Sequence, residues 1–284
     1  MRFDVFCLTL PRSADRRAHF DSEAKRLGLA FEYVYGLDAK ESPSGKLEAL
    51  VVQERATAWL GRPLGLTEIA CAEGHRQIYR NLTNSSSDAA LVIEDDIRLD
   101  NRFGEIVDGL KKLDPETGRR AEVFLLGCLE ESPKYPLLLR RRRPQRVTES
   151  HSLMRVVRSD LALQGAYCYL ITRAAAAAIL RDEPMVVTTA DAWDLRRLEG
   201  TLHDVWVMEP RAAFHDAVAL DSLIEIARSG AEMEAERVRR TWANRIKRAA
   251  RSLTNPRKFM RSIAYRLGWR HVEHAVYAVL SRLI

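Results

Sequence analysis

Two hydrophobic periods alternate along most of the chain, and their order predicts the fold class. Residues 3–10 (FDVFCLTL), apolar except at Asp4 and Thr9, read as a buried strand, and Pro11-Arg12-Ser13 ends it. From there to Leu27 the positions Phe20, Ala24 and Leu27 share one helical face, and 31–35 reads as a second strand, giving a β-α-β start. Residues 46–60 read as one helix. Another is predicted over 67–82, with Thr67 as N-cap and Glu68 in the first turn, where a carboxylate suits the positive end of the helix dipole. After a polar loop at 84–87, the segment 89–100 (AALVIEDDIRLD) reads as an apolar strand ending in three carboxylates. Strands at 121–127 and 165–172 flank a long irregular stretch holding Arg140–Arg143. An Ala-rich helix at 173–181 and a strand at 204–214, broken by Pro210, follow. Strands alternating with helices predict an α/β sheet with helices on its faces.

Beyond residue 229 the pattern changes. Val238, Trp242, Ile246, Ala249 and Leu253 make one apolar stripe ringed by arginines, and two further basic helical pieces follow, after Pro256 and from Val272. The division expected is a domain over 1–228 and a basic amphipathic helical extension over 229–284. Charge sharpens it: the net +6 hides a +11 in residues 236–284, which carry 13 basic and 2 acidic side chains, so the body is mildly acidic. Screening confines the field of such a tail to about 8–10 Å, which argues for a local contact with an anionic surface. Cys7, Cys71, Cys128 and Cys168 are too far apart in sequence for a disulfide framework or a cysteine metal motif. Three of them sit in apolar strand-like runs, as expected of a reduced, cytoplasmic chain. The apolar run ending at Pro11 is too short for a secretory signal, and no stretch of about 20 apolar residues predicts a membrane span.

The chemistry concentrates at Glu94-Asp95-Asp96. On a continuing strand Glu94 and Asp96 point to one face and Asp95 to the other. Two carboxylates at the carboxyl end of a sheet strand suit Mg²⁺ or Mn²⁺, hard ions that use carboxylates plus substrate phosphates, and open α/β sheets bind ligands at that edge.

Five blocks in order then carry a resemblance: LTLPRSADRRAHF at 8–20, LTEIACAEGH at 66–75, LVIEDD at 91–96, GAYCYLITRAAAAAIL at 165–180 and FHDAVALDSLIE at 214–225. The chain resembles glycosyltransferase family 25, the bacterial lipopolysaccharide and lipo-oligosaccharide galactosyltransferases and their collagen-modifying relatives. The resemblance implies a GT-A type, Rossmann-like fold and inverting transfer of a sugar from a nucleotide-sugar donor, UDP-galactose, to a saccharide hydroxyl. Carried over by position, Glu94, Asp95 and Asp96 form the acidic donor motif, with Glu94, Asp96 and His215 as ligands of Mn²⁺ or Mg²⁺. Leu10, Arg12, Ser13 and Arg16 lie in the first strand-end loop, where such folds hold the nucleotide, and Glu68 and His75 share one helix face beside the donor. Asp191 is the expected base for the acceptor hydroxyl, with Asp194 as the substitute; both also fit an N-cap or a solvated loop position. Thr9 stands where the family commonly has Asn, Gly74 where it has Ser and Ala70 where it has Gly.

The acceptor implied is a saccharide or lipid-linked oligosaccharide at the cytoplasmic face of the inner membrane. Residues 236–284 would lie along anionic lipid there. A nucleic-acid or polyanion-binding protein acting through the tail is the alternative, as is a catalytically inactive glycan-binding GT-A fold. The first leaves the acidic motif without a role and no nucleic-acid motif is present, so no nucleic acid is expected.

Overall fold

A computed structural model describes residues 1–114, 119–128, 139–156 and 165–215. The basic segment 236–284, most of the fifth block and the proposed boundary near 228 lie outside the described residues.

The strands are β1 (Phe3–Thr9), β2 (Glu32–Tyr35), β3 (Ala89–Glu94), β4 (Ile97–Leu99), β5 (Glu122–Leu125), β6 (Leu139–Arg146), β7 (Ser152–Val156), β8 (Cys168–Thr172), β9 (Asp204–Glu209) and β10 (Ala213–His215). The helices are α1 (Ala14–Arg26), α2 (Ser44–Glu48), α3 (Gln53–Leu60), α4 (Leu66–Asn84), α5 (Phe103–Lys111), α6 (Arg173–Asp182) and α7 (Trp193–Leu198). Eight strands form one mixed sheet in the order β2-β1-β3-β8-β5-β9-β7-β6, and β4 pairs antiparallel with β10 beside it. β2, β1 and β3 are parallel, as are β5 and β9; β8 runs against both of its neighbours, β3 and β5. The carboxyl ends of β1, β3, β5 and β9 and the start of β8 therefore meet at one edge of the sheet.

Alternation along the strands divides the core. Ala90 and Val92 of β3 pack with Ile78, Tyr79 and Leu82 of α4 and Ala175, Ala176 and Ile179 of α6. Ala89, Leu91 and Ile93 face the other way, onto Phe20 and Ala24 of α1 and Phe103, Ile106 and Leu110 of α5. The same period carries Glu94 to the α4 face. A smaller cluster joins Leu47, Ala56 and Ile69 under α2, α3 and the start of α4.

Four local readings are corrected. The single helix expected over 46–60 is two, because the chain between them pairs with Val186: Val186 N–H donates to Leu50 O at 2.9 Å and Val52 N–H to Val186 O at 3.0 Å. α4 begins at Leu66 with Gly65 as N-cap, not at Thr67; Glu68 is then the third residue and accepts from the Gly65 N–H at 3.1 Å. Arg140–Arg143 fall within β6, which among the described residues is an edge strand pairing with β7, with a register shift between Arg140 and Gln145. A run of like charges discourages further pairing at such an edge. Finally, β3 ends at Glu94 and Asp95-Asp96 form a turn, so the two-faced placement expected of the three carboxylates does not hold. Among the described residues, no helix is long and apolar enough to cross a membrane.

At the opposite edge of the sheet, the parallel register sets Glu122 beside Asp204. Asp204 accepts from Arg155 Nε at 2.7 Å, and His203 Nδ1 lies 3.1 Å from its other oxygen. Those charges hold the Asp204 carboxyl below its usual range although burial opposes them. Burial, and next the Asp204 charge, push Glu122 up to about 7, with His203 and Arg120 opposing. The unfolded carboxyl ionises near 4.5 and the folded one near 7, so folding holds an extra proton between those values and stability from this group falls as pH rises through them. Glu122→Gln should therefore be more stable than the parent at pH 8, by on the order of 2–3 kcal/mol, with the difference vanishing near pH 4. Urea melts across that range test it; equal stability at pH 8 would refute it.

Candidate active site

The acidic turn sits where β1 and β3 end. Asp95 N–H donates to Leu8 O at 3.2 Å, and the Thr9 hydroxyl donates to Asp95 Oδ2 at 2.5 Å, so Thr9, the residue that departs from the family pattern, fastens the turn. Arg16 of α1 reaches across it, 3.1 Å from Asp96 Oδ2 and 3.5 Å from Asp95 Oδ1. One cation thus serves two carboxylates, and only part of the charge is neutralised. Asp96 Oδ1 is buried and has no hydrogen-bond partner. Burial, then the Glu94 charge, push Asp96 up to about 7 against the pull of Arg16, and Asp95 is also raised, by burial first.

Glu94 points to α4. His75, 1% exposed, places Nε2 3.2 Å from Glu94 Oε1 and Nδ1 2.7 Å from the Tyr169 hydroxyl, which is 2.9 Å from that of Tyr79. A carboxylate only accepts, so Nε2–H donates to Glu94, Nδ1 accepts from Tyr169 O–H, and Tyr169 accepts from Tyr79 O–H. Burial pushes both phenols up, Tyr79 to about 12. The chain is directional and fixes the imidazole. Gly74 lets α4 come this close: a Cβ there would lie 3.1 Å from Leu8 Cδ1.

Asp191 is drawn to the same edge. Its Oδ2 accepts from the Gly165 N–H at 3.1 Å, and Trp193 Nε1 donates to Gly165 O at 3.1 Å. Gly165 holds φ at +105°, a conformation that favours glycine, and its clamp fixes Asp191 at the start of β8, whose Tyr167 carbonyl accepts from Glu94 N–H at 2.8 Å. Burial first, and then the charges of Glu94, Asp191, Asp96 and Glu68, push the Cys71 thiol up.

Other expected residues take other roles. Glu68 is held by Arg62 through two bonds, 2.6 and 2.7 Å, besides the Gly65 N–H, and so caps α4. Arg12 pairs with Asp38, and Leu10 and Ser13 form the turn that opens α1, Ser13 N–H donating to Leu10 O at 3.0 Å. Of the first loop, Arg16 alone is brought onto the acidic turn. Asp194 stands in the first turn of α7, where the helix dipole favours a carboxylate. His215 lies opposite Ile97 in the β10–β4 register, next to Asp96 along the chain; its side chain lies outside the described residues. Sequence reasoning gave no site role to Cys71, Tyr79, Tyr169 or Gly165. The Cys71-x-x-x-His75 spacing was the available signal.

Whether a metal fits here rests on the residues. A buried carboxylate oxygen without a partner, inside a three-carboxylate turn carrying one arginine, is a donor set for a hard divalent cation. Glu94 and Asp96 are the carboxylates that would supply the oxygens.

Comparison with known proteins identifies the family. Residues 3–192 match the family described as glycosyltransferase family 25 (LPS biosynthesis protein). Procollagen galactosyltransferase 1 of Danio rerio is 30% identical over 107 residues, 36% of this chain and 18% of that protein. Procollagen galactosyltransferase 2 of Homo sapiens is 28% identical over 107 residues, 36% of this chain and 17% of its own. A glycosyltransferase 25 family member of Aedes aegypti is 25% identical over 116 residues, 38% and 19% of the two chains. The chain thus spans under a fifth of the length of these relatives. With the family's pattern running from β1 to the aspartate clamped at Gly165, the chain belongs to glycosyltransferase family 25.

Proposed function

We propose that the protein is an inverting GT-A type glycosyltransferase that moves galactose from UDP-galactose to a saccharide hydroxyl in lipopolysaccharide, lipo-oligosaccharide or a related glycan. The observation that carries this reading is the acidic turn with its unpartnered Asp96 oxygen at the ligand-binding edge of a family 25 sheet. Glu94 and Asp96, with His215 as the third ligand expected, would hold Mn²⁺ or Mg²⁺, which when bound offsets the diphosphate charge and the charge developing on departing UDP. Arg16 keeps Asp95 and Asp96 from repelling one another, and His75 orients Glu94. Asp191 is the base: the acceptor oxygen bonds to the anomeric carbon, the bond from that carbon to the UDP oxygen breaks, and the hydroxyl proton passes to the Asp191 carboxylate. The Gly165 amide holds that carboxylate in place.

The +11 segment at 236–284 is proposed to keep this body at an anionic membrane surface, on the cytoplasmic side, where a lipid-linked acceptor would be found. Thermal shift with Mn²⁺ and a panel of nucleotide sugars tests the donor. UDP-galactose at about 100 times its Kd should add ~2.7 kcal/mol of stability only when metal is present, and Asp96→Ala should lose that gain. Indifference to every nucleotide sugar would favour the inactive, glycan-binding reading.

A further inference from the structure

One cluster at this edge has a chemistry that donor binding does not call for. Cys71 and His75 are one helical turn apart on α4, so they share a face, and β3 projects Glu94 onto that face from the sheet. The Cys71 sulfur, a His75 ring nitrogen and a Glu94 oxygen all lie within 4.8 Å of one another.

We propose that Cys71, His75 and Glu94 form a binding site for a thiophilic divalent cation, Zn²⁺ in the first instance. A thiolate, an imidazole and a carboxylate are ligands that zinc takes at about 2.0–2.3 Å, and sulfur selects against Mg²⁺ and Mn²⁺. The outer contacts are in place. Nδ1 of His75 is held by Tyr169, itself held by Tyr79, which leaves Nε2 on Glu94, the support a metal-bound histidine needs. Loading balances in protons. The Cys71 thiol releases one to solvent, and the imidazole proton moves from Nε2 to Nδ1, where Tyr169 turns to accept it. The Glu94 carboxylate beside the sulfur offsets part of the cation's charge.

The site shares Glu94 with the hard-ion site of the donor. On the proposed glycosyl-transfer reading, zinc therefore inhibits and excess Mn²⁺ relieves the inhibition.

The full chain, stripped of metal with a chelator and titrated with Co²⁺, should develop a near-ultraviolet thiolate-to-cobalt charge-transfer band that one equivalent of Zn²⁺ abolishes. Cys71→Ser should lose the band at an unchanged melting temperature, and Cys168→Ser, altered in a cysteine buried in the sheet, should keep it. Asp96→Asn should keep the band while losing stabilisation by UDP-galactose and Mn²⁺, so failure of the zinc site and failure of the glycosyltransferase reading are told apart. Should Cys71→Ser not fold, alkylation of the parent decides: Zn²⁺ should protect Cys71 from iodoacetamide by at least tenfold in rate. Cobalt binding without a charge-transfer band, a band surviving in Cys71→Ser, or Cys71 alkylated at the same rate with zinc would each overturn the site.

Discussion

Asp96→Asn should lower kcat/KM for transfer from UDP-galactose by on the order of 10²–10³-fold, the cost of removing one preorganised group that stabilises developing charge. It should do so without unfolding the protein. The substitution keeps the shape of the side chain and its contact with Arg16 while removing the charge on the oxygen that has no partner. Stability should move the other way from activity. The unfolded Asp96 carboxyl ionises near 3.8 and the folded one near 7, so folding takes up a proton between those values. The parent thus loses stability as pH rises through that window and has lost it above 7, whereas asparagine does not titrate. In the absence of metal, Asp96→Asn should therefore melt higher than the parent at pH 8. In the parent, binding of donor with metal should strengthen as pH rises through about 7, because the protonated form must give up its proton to a cation. Steady-state kinetics with metal and calorimetry without it make the two measurements. Full activity in the variant would remove Asp96 from the reaction.

The acidic motif shows where sequence reasoning holds and where it stops. Apolar runs placed β1, β3 and β8, and in the structure alternation along β3 puts Glu94 on the α4 side with Ala90 and Val92. The same alternation misplaced Asp96, since it assumes a continuing strand and the chain turns after Glu94, where Thr9 and Arg16 capture the next two carboxylates. The reason is chemical: three adjacent charges cannot stay on a buried strand, and a turn lets one arginine serve two of them. Glu68 was equally ambiguous. Its first-turn position was legible, but the bidentate Arg62 that claims it is visible only in three dimensions. The β6 strand was hidden because an arginine-rich edge strand lacks the apolar alternation by which strands are recognised. His75 and Tyr169 lie 94 positions apart, and the antiparallel insertion of β8 between β3 and β5 is what brings them together. That pairing depends on topology, which local periodicity does not carry.

Glu183→Ala should cost ~3–5 kcal/mol of folding stability, the effect of leaving one member of a buried ion pair alone. Glu183 and Arg196 are 3% and 4% exposed at their side chains and meet through two bonds of 2.9 and 3.0 Å. Arg196 also donates to Ala190 O at 2.7 Å, while Arg76 of α4 donates to Pro184 O at 2.9 Å. These bonds tie α4, the end of α6 and α7 together around the segment that carries Asp191. Removing the carboxylate leaves a guanidinium facing apolar walls, including the Trp193 ring 5.6 Å away. Denaturant melts should show a lower midpoint with an unchanged slope, since the surface exposed on unfolding is the same. A double variant separates stability from placement. Glu183→Met with Arg196→Met replaces the pair by apolar side chains of similar volume and should recover most of the lost stability, because burying two charges is itself costly. It should not recover turnover, because Arg196 no longer holds the Ala190 carbonyl next to Asp191. Recovery of both would reduce the pair to a packing device, and a loss under 1 kcal/mol in Glu183→Ala would mean that water reaches Arg196 in the folded protein. Stability regained with kcat still low would assign the pair the task of setting Asp191, the proposed base, against the acidic turn.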